Sequence, residues 1–468
     1  MIKRPFSSIL SALALSSLCS FVHADIYEHF PITLSAYTGE KNYSESYGGQ
    51  IAHHLLHNSL KKLSSRGTGE VNAELQASMM AYYSGTDKER SIIDPASKDG
   101  FPILQSQVDQ LSTGENLSDK VYKGLVPGWP GNMTGSEVVR FMINKAAVSE
   151  GGYDPLYGYD YTQLISKFLM GAVFYNQAVD GYLDEKLAAE VYPNHKPYKD
   201  GTAYTGKEHV WDEAFGYFGA PTHTLQLSAT DIYAIAKQKP EVFAKADYNG
   251  DGKISLYTEM AYAHAYYAAS FDRGGKTRYL HDITQAFMDG RQLITQANGQ
   301  SLSISQQSEL QAYAATIKIN WERVIAEAVF KYAGSVYADL QKLQIIIDSN
   351  GDAGQAYRHY VKHWGELKGF AMALQVGGKD LGETSVRLNR LIGYSPVLLG
   401  NTQVVGLSAE GQYQQASSIS LGEYQVHMIK VQKLILDQFG IQARNQDVMD
   451  NMAILIEQLG NSLAAEND

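Results

Sequence analysis

The sequence predicts an all-α protein built from two related helical bundles, with long loops and one EF-hand-like loop. Three observations lead there. Apolar residues recur at helical spacing along most of the chain, alternating strand patterns are scarce, and two segments echo each other roughly 155 residues apart.

The helical spacing is plain in "DYTQLISKFLMGAVFYNQAVDGYLDEKL". Leu164, Phe168, Gly171, Tyr175, Ala178 and Tyr182 step by four and three, which places them on one face. Comparable faces run through "GSEVVRFMINKAAVSE", "INWERVIAEAVFKYAGSVYADLQKL", "LGEYQVHMIKVQKLILDQF" and "DVMDNMAILIEQLGNSL". Between them lie segments rich in Gly, Pro, Ser and Asp at 86–135 and 186–207. A third loop-like stretch is "LIGYSPVLLGNTQVVGLSAEG".

The echo pairs "VFYNQAVDGYL" with "FKYAGSVYADL", matching Tyr175 to Tyr332, Val179 to Val336 and Leu183 to Leu340 at an offset of 157. "WDEAFGYF" then pairs with "WGELKGFA" at an offset of 153, matching Trp211 to Trp364, Glu213 to Glu366 and Gly216 to Gly369. The expected organisation is a first bundle over 25–300 and a second over 301–468. Chance similarity between amphipathic helices is the competing explanation.

The chain opens with Lys3 and Arg4, an apolar run from Ile9 to Phe21, and the small-x-small site Val22-His23-Ala24. That pattern predicts a signal peptide over 1–24, too short to span a bilayer, and a soluble exported or periplasmic protein starting at Asp25. Leu18 before Cys19 disfavours a lipoprotein. No later stretch is apolar enough for a transmembrane segment. Cys19 is the only cysteine, so the mature chain has neither disulfides nor thiolate chemistry. Without Lys3 and Arg4, 37 basic residues face 50 acidic ones. That balance excludes nucleic acid as a partner and suits cations or neutral ligands.

"GKEHVWDEAFGYFGAP" concentrates His209, Trp211, Asp212 and Glu213 on one short helix. His209 and Glu213, four apart, can share a proton or a metal ion. In the second copy His359 and His363 precede Glu366 on one face, a plausible ligand set beside Trp364. The expected cleft for a metal ion or small metal-containing ligand therefore takes His209, Asp212, Glu213, Trp211, His363, Glu366, Trp364 and Tyr175. Iron or zinc is the metal considered. Buried glutamates bound to tyrosines would account for the same residues structurally. His53 and His57, a second pair four apart, are expected to be solvated. No His-Glu-x-x-His spacing, phosphate loop or nucleophile elbow occurs.

"ADYNGDGKISLYTEM" places Asp247, Asn249, Asp251 and Gly252 at positions 1, 3, 5 and 6 of an EF-hand-type loop, with the Lys253 carbonyl at position 7. Thr258 holds position 12 and Glu259 comes one residue late. Calcium is the expected ion, with Asp247, Asn249, Asp251, Lys253 and Glu259 around it; a plain Asx-Gly turn is the alternative. "DSNGDAGQ" has Ala353 where the glycine belongs and is expected to be a polar helix cap.

"SYGGQIAHHLL", "LMGAVFYNQA", "EHVWDEAFGYFGAP", "EAVFKYAGSVY" and "HWGELKGFAMALQ" together resemble a bacterial exported family related to imelysin. The resemblance implies two related four-helix bundles, a periplasmic or surface location, a link to iron acquisition and an outer-membrane uptake system as partner. The Gly-x-His-x-x-Glu motif of imelysin-like proteins is not kept. In "GKEHVWDE" the histidine falls one residue late after Gly206, and Asp212 stands three residues beyond it. A non-enzymatic metal or metal-ligand binder is the leading function. A hydrolase or peptidase using an ion on His209 and Glu213, and a calcium-braced scaffold, are the alternatives.

Overall fold

The computed structural model describes residues 26–188 and 190–457. The expected signal peptide and the part of the last expected helix from residue 458 on fall outside them; 452–457 of that helix are helical. Thirteen α-helices follow in order: α1 Gly48–Ser64, α2 Ala73–Ser84, α3 Gly135–Val148, α4 Tyr161–Leu169, α5 Gly206–Phe218, α6 Ala229–Ala236, α7 Phe243–Ala246, α8 Ala263–Asp272, α9 Tyr279–Gln296, α10 Ile304–Asp348, α11 Gly354–Gln375, α12 Gly382–Ile392 and α13 Leu421–Phe439. Two small antiparallel pairs join them: β1 Tyr153–Asp154 with β2 Tyr159–Asp160, and β3 Thr402–Leu407 with β4 Tyr413–Ser417. No helix among the described residues is long and apolar enough to cross a membrane.

The chain is helical where the periodicity placed helices, and the loops at 86–135 and 186–207 carry only short helical turns. The stretch read as a third loop instead contains β3. A bulge at Val404–Gly406 breaks its alternation, and of its six residues only Val404 is buried, so the apolar pattern of a strand is faint. α4 continues without a break into a π-type segment, Met170–Tyr182, closed by Leu183 N–H donating to Ala178 five residues back. The widened turn follows a close approach: a Cβ on Gly171 would lie 2.3 Å from Ala373 Cβ on α11.

α10 is the axis. Its 45 residues make a rod of roughly 68 Å at about 1.5 Å per residue. Leu310, Ala314, Ile317, Trp321, Val324 and Ala328 form a buried stripe along it. α9, α11 and α13 pack on α10, and α4 packs on α11, so one apolar core takes side chains from both sides of residue 300.

α5 starts with a capping box: Thr205 Oγ1 accepts from Glu208 N–H and Glu208 Oε2 accepts from Thr205 N–H. It stops at Gly219, whose φ of 80° is left-handed. Its inner face holds Trp211, whose Nε1 donates to the Phe287 carbonyl at 2.8 Å. Gly290 on α9 has no side chain because a Cβ there would meet the indole at 2.1 Å.

Beside that contact, fully buried Arg291 donates through Nε to Asp212 Oδ1 at 2.9 Å and through Nη1 to Glu208 Oε1 at 3.2 Å. Its Nη2 reaches Ser44 Oγ at 2.7 Å, and the Tyr27 hydroxyl also donates to Asp212 at 2.8 Å. One cation thus joins α5, α9 and the first described segment. Arg291→Met is expected to lower unfolding free energy by about 3–5 kcal/mol, because it leaves two buried carboxylates without their counter-charge. Urea denaturation monitored by circular dichroism checks this, and a loss below about 1 kcal/mol would make the network ornamental.

Candidate functional site

His209 and Glu213 lie on successive turns of α5, with His209 Nε2 3.4 Å from Glu213 Oε2. Gln50 of α1 donates to the other oxygen, Oε1, at 2.8 Å. The loop before α5 covers the pair. The Tyr198 ring lies 3.6 Å, centroid to centroid, from the imidazole, and Tyr204 stacks on it at 5.3 Å. That loop is pinned by Lys207, whose Nζ donates to the carbonyls of Leu187, Ala188 and Val191. His209 is 9 % exposed, and its Nδ1 is buried without a hydrogen-bond partner. Burial holds the imidazole below its ordinary pKa, although Glu213 pulls the other way, so at neutral pH it is uncharged and can offer a lone pair.

A polar chain continues inward. Tyr217 lies 3.2 Å from His53 Nδ1, and His53 Nε2 lies 3.1 Å from Glu115 Oε2. Burial pushes Glu115 up, but the hydrogen bonds and charge of His53 outweigh this and hold the carboxyl down at about 2. The expectation of solvated histidines at 53 and 57 is corrected: both are buried, His57 with Nε2 2.9 Å from the Ser166 carbonyl. The reason is packing of α2, α3, α4 and α5 around α1.

Asp212 and Trp211 are committed elsewhere, Asp212 to Arg291 and Tyr27, Trp211 to the α9 backbone. Tyr175 packs 5.9 Å from Trp321, away from His209. In the second copy Trp364 is equally buried and donates to the Tyr424 hydroxyl at 2.8 Å. His363 Nδ1 pairs with Asp339, His359 lines a separate groove with Asp339 and Lys342, and Glu366 accepts from the Tyr332 hydroxyl at 3.2 Å. Asp339 thus stands beside both histidines, while Glu366 turns to Tyr332 instead. Among the described residues no group of three or more His, Cys, Asp or Glu is placed to hold a metal ion.

The 247–259 loop is tightly folded on itself. Asp247 accepts from Asp251 N–H and Gly252 N–H, Asn249 from Asp251 N–H, and Asp251 from Lys253 N–H. Gly252 has φ 82°, the conformation the turn demands. Glu259 stands behind the loop: Oε1 accepts from Tyr248 and Asn249, Oε2 from Ser255. Ile254 bridges Ile103 in parallel, tying the loop to the 86–135 segment. At 348–355 the expected polar cap is corrected: Ala353 is the N-cap of α11 and offers no side-chain acceptor, while Asp352, one residue before it, accepts from Gly354 N–H at 2.9 Å.

Sequence reasoning passed over Arg291 and Lys167. Each stands within an apolar helical run, "AFMDGRQLI" and "LISKFLMGAVF", where a lone cation is the available signal.

Residues 147–326 match a family model. It is described as Domain of unknown function (DUF4856). The DUF4856 segment includes α4, α5, α8 and α9, hence His209, Glu213, Arg291 and the 247–259 loop. That family is uncharacterised and carries no link to imelysin. No curated protein and no solved structure matches the chain.

Asp212, fully buried beside Arg291, holds its proton to higher pH than a free aspartate. Burial drives the Asp212 carboxyl up from 3.8 to about 7, against the pull of Arg291. Because the folded pKa exceeds the unfolded one, the contribution of this group to stability is complete below about pH 4. It is lost as pH rises through 7, at up to about 1.4 kcal/mol per pH unit. Urea midpoints at pH 5 and pH 8 should differ less in Asp212→Asn than in the unsubstituted protein. Equal differences in the two would contradict the assignment.

Proposed function

We propose that this is an exported, non-catalytic binding protein that holds a metal ion within a small metal-containing ligand at His209 and Glu213. One arrangement carries the proposal: a neutral imidazole with an unpartnered Nδ1, 3.4 Å through its other nitrogen from a carboxylate, under an aromatic cover. Two protein donors are too few to satisfy iron or zinc, so the remaining donors come with the ligand. Tyr198 and Tyr204 supply apolar faces for its organic part. The resemblance to imelysin-related proteins supports iron as the metal and uptake across the outer membrane as the setting. A metal-dependent hydrolase is less well supported, because such sites keep three protein ligands and an open position for water.

Isothermal titration with ferric citrate and with zinc chloride tests this. His209→Ala and Glu213→Gln are each expected to weaken binding at least tenfold while shifting the melting temperature little. Unchanged affinity in both variants, with a large loss of stability, would return the pair to a purely structural role.

We further propose that the 247–259 loop binds calcium through Asp247, Asn249, Asp251 and the Lys253 carbonyl, bracing the scaffold. The supporting observation is that three short oxygen-bearing side chains turn inward around Gly252. Glu259, with both oxygens on backbone N–H groups, would have to release them to act as a ligand, so the site is expected to be weak. Melting curves with calcium and with chelator should differ in the unsubstituted protein and coincide in Asp251→Ala. Coincident curves in the unsubstituted protein would remove calcium.

A further inference from the structure

Away from His209, α1, α4, α10 and α11 bring together charges that do not balance. Lys167 of α4 is 5 % exposed and makes no ion pair or hydrogen bond to an acceptor among the described residues. Its Nζ lies 5.4 Å from the centroid of Tyr267 and 5.8 Å from that of Phe370. Lys61 of α1 and Lys331 of α10 lie within its electrostatic reach, and Glu366 is the carboxylate that faces all three. The charge of Lys167, with burial, pushes Lys61 down to about 7; burial lowers Lys167 and Lys331 as well.

The cluster communicates with solvent through aromatic rings. Tyr267 meets Tyr266 at 5.1 Å, and Tyr266 stacks on Tyr233 at 5.2 Å. Tyr233 lines an open cleft of about 1010 Å³ with Lys237 and Arg273. Lys237 Nζ sits 4.8 Å over the Tyr266 ring, and the Arg273 guanidinium 4.1 Å over that of Tyr233. At the rim the other charges cancel in pairs, Lys245 with Asp231 at 2.8 Å and Lys239 with Glu241 at 3.6 Å. Five cations then face two carboxylates, Glu366 and, beside Lys61, Asp94, in a chain whose formal charge is −11.

We propose that this cleft, with Lys237 and Arg273 at its wall and Lys61, Lys167 and Lys331 behind it, binds a phosphate group, free or carried on a small organic molecule. With Asp231 and Glu241 already paired at the rim, Lys237 and Arg273 at the wall and the lysines behind them leave the cleft short of negative charge, which a dianionic oxyanion supplies together with several acceptors for the two wall cations. The cleft is larger than phosphate alone requires, which leaves room for an attached organic part. The inference is independent of His209 and of any metal.

The experiment is thermal melting of the full chain in inorganic phosphate, in glucose 6-phosphate, and in chloride at matched ionic strength. A saturable rise in melting temperature is expected with phosphate, and a larger one with glucose 6-phosphate would identify the organic phosphate as the ligand class. Lys167→Met should reduce the rise, because it removes one positive charge from behind the wall, while leaving a folded protein in chloride. Lys237→Ala with Arg273→Ala, both at exposed positions, should weaken phosphate binding at least tenfold and decides the matter if Lys167→Met fails to fold. Equal melting in all three buffers, or a rise that survives the double substitution, would overturn the proposal.

Discussion

A single buried guanidinium sets the geometry on which the first half depends. Arg291 reaches α5 through Asp212 and Glu208, the first described segment through Ser44, and its own helix through Thr295. Removing an arginine from water is expensive, and the cost is offset only when each donor has an acceptor in place. The network therefore tolerates one mutual placement of α5 and α9. It fixes the rotation of α5, and that rotation turns His209 and Glu213 outward beneath the tyrosine cover while Trp211 faces Gly290. The nearby polar chain from Gln50 to Glu115 keeps the outward face from collapsing into an apolar one.

The two echoing segments share a mechanical frame and differ in charge. Each has a fully buried tryptophan whose indole N–H donates one hydrogen bond, and each has a close-approach glycine: Gly216 against Tyr47 and Gln50, Gly369 against Lys167. Glu213 has Gln50 and His209 as its hydrogen-bonding neighbours, with Lys186 within electrostatic reach. Glu366 instead accepts from the Tyr332 hydroxyl, with Lys61, Lys167 and Lys331 nearby.

The long loops are structural parts rather than connections. Lys207 caps three carbonyls and so holds the 186–207 loop against α5, and the Ile103–Ile254 bridge anchors the 247–259 turn to the 86–135 loop. Loops held this way can present rigid side chains, which is what a cover over His209 and a preformed oxygen cluster around Gly252 both require.

The sequence by itself determined the helices, because local spacing of apolar residues is enough to choose a helix and to name its inner face. Leu164 to Tyr182 was legible in this way, as was the run from Ile319 to Leu343. It also put His209 beside Glu213, since four residues in a helix are one turn. Tertiary structure alone decided what lies opposite those faces. Nothing local separates Asp212, held by an arginine 79 residues away, from Glu213, or shows that Glu366 turns to Tyr332 while His363 pairs with Asp339. The burial of His53 and His57 depends on four helices closing around α1, and the widening after Met170 on a contact with α11. The cationic cleft is the plainest case: Lys61, Lys167 and Lys331 are unremarkable in the sequence, and their charges add only because folding removes the water that would have screened them.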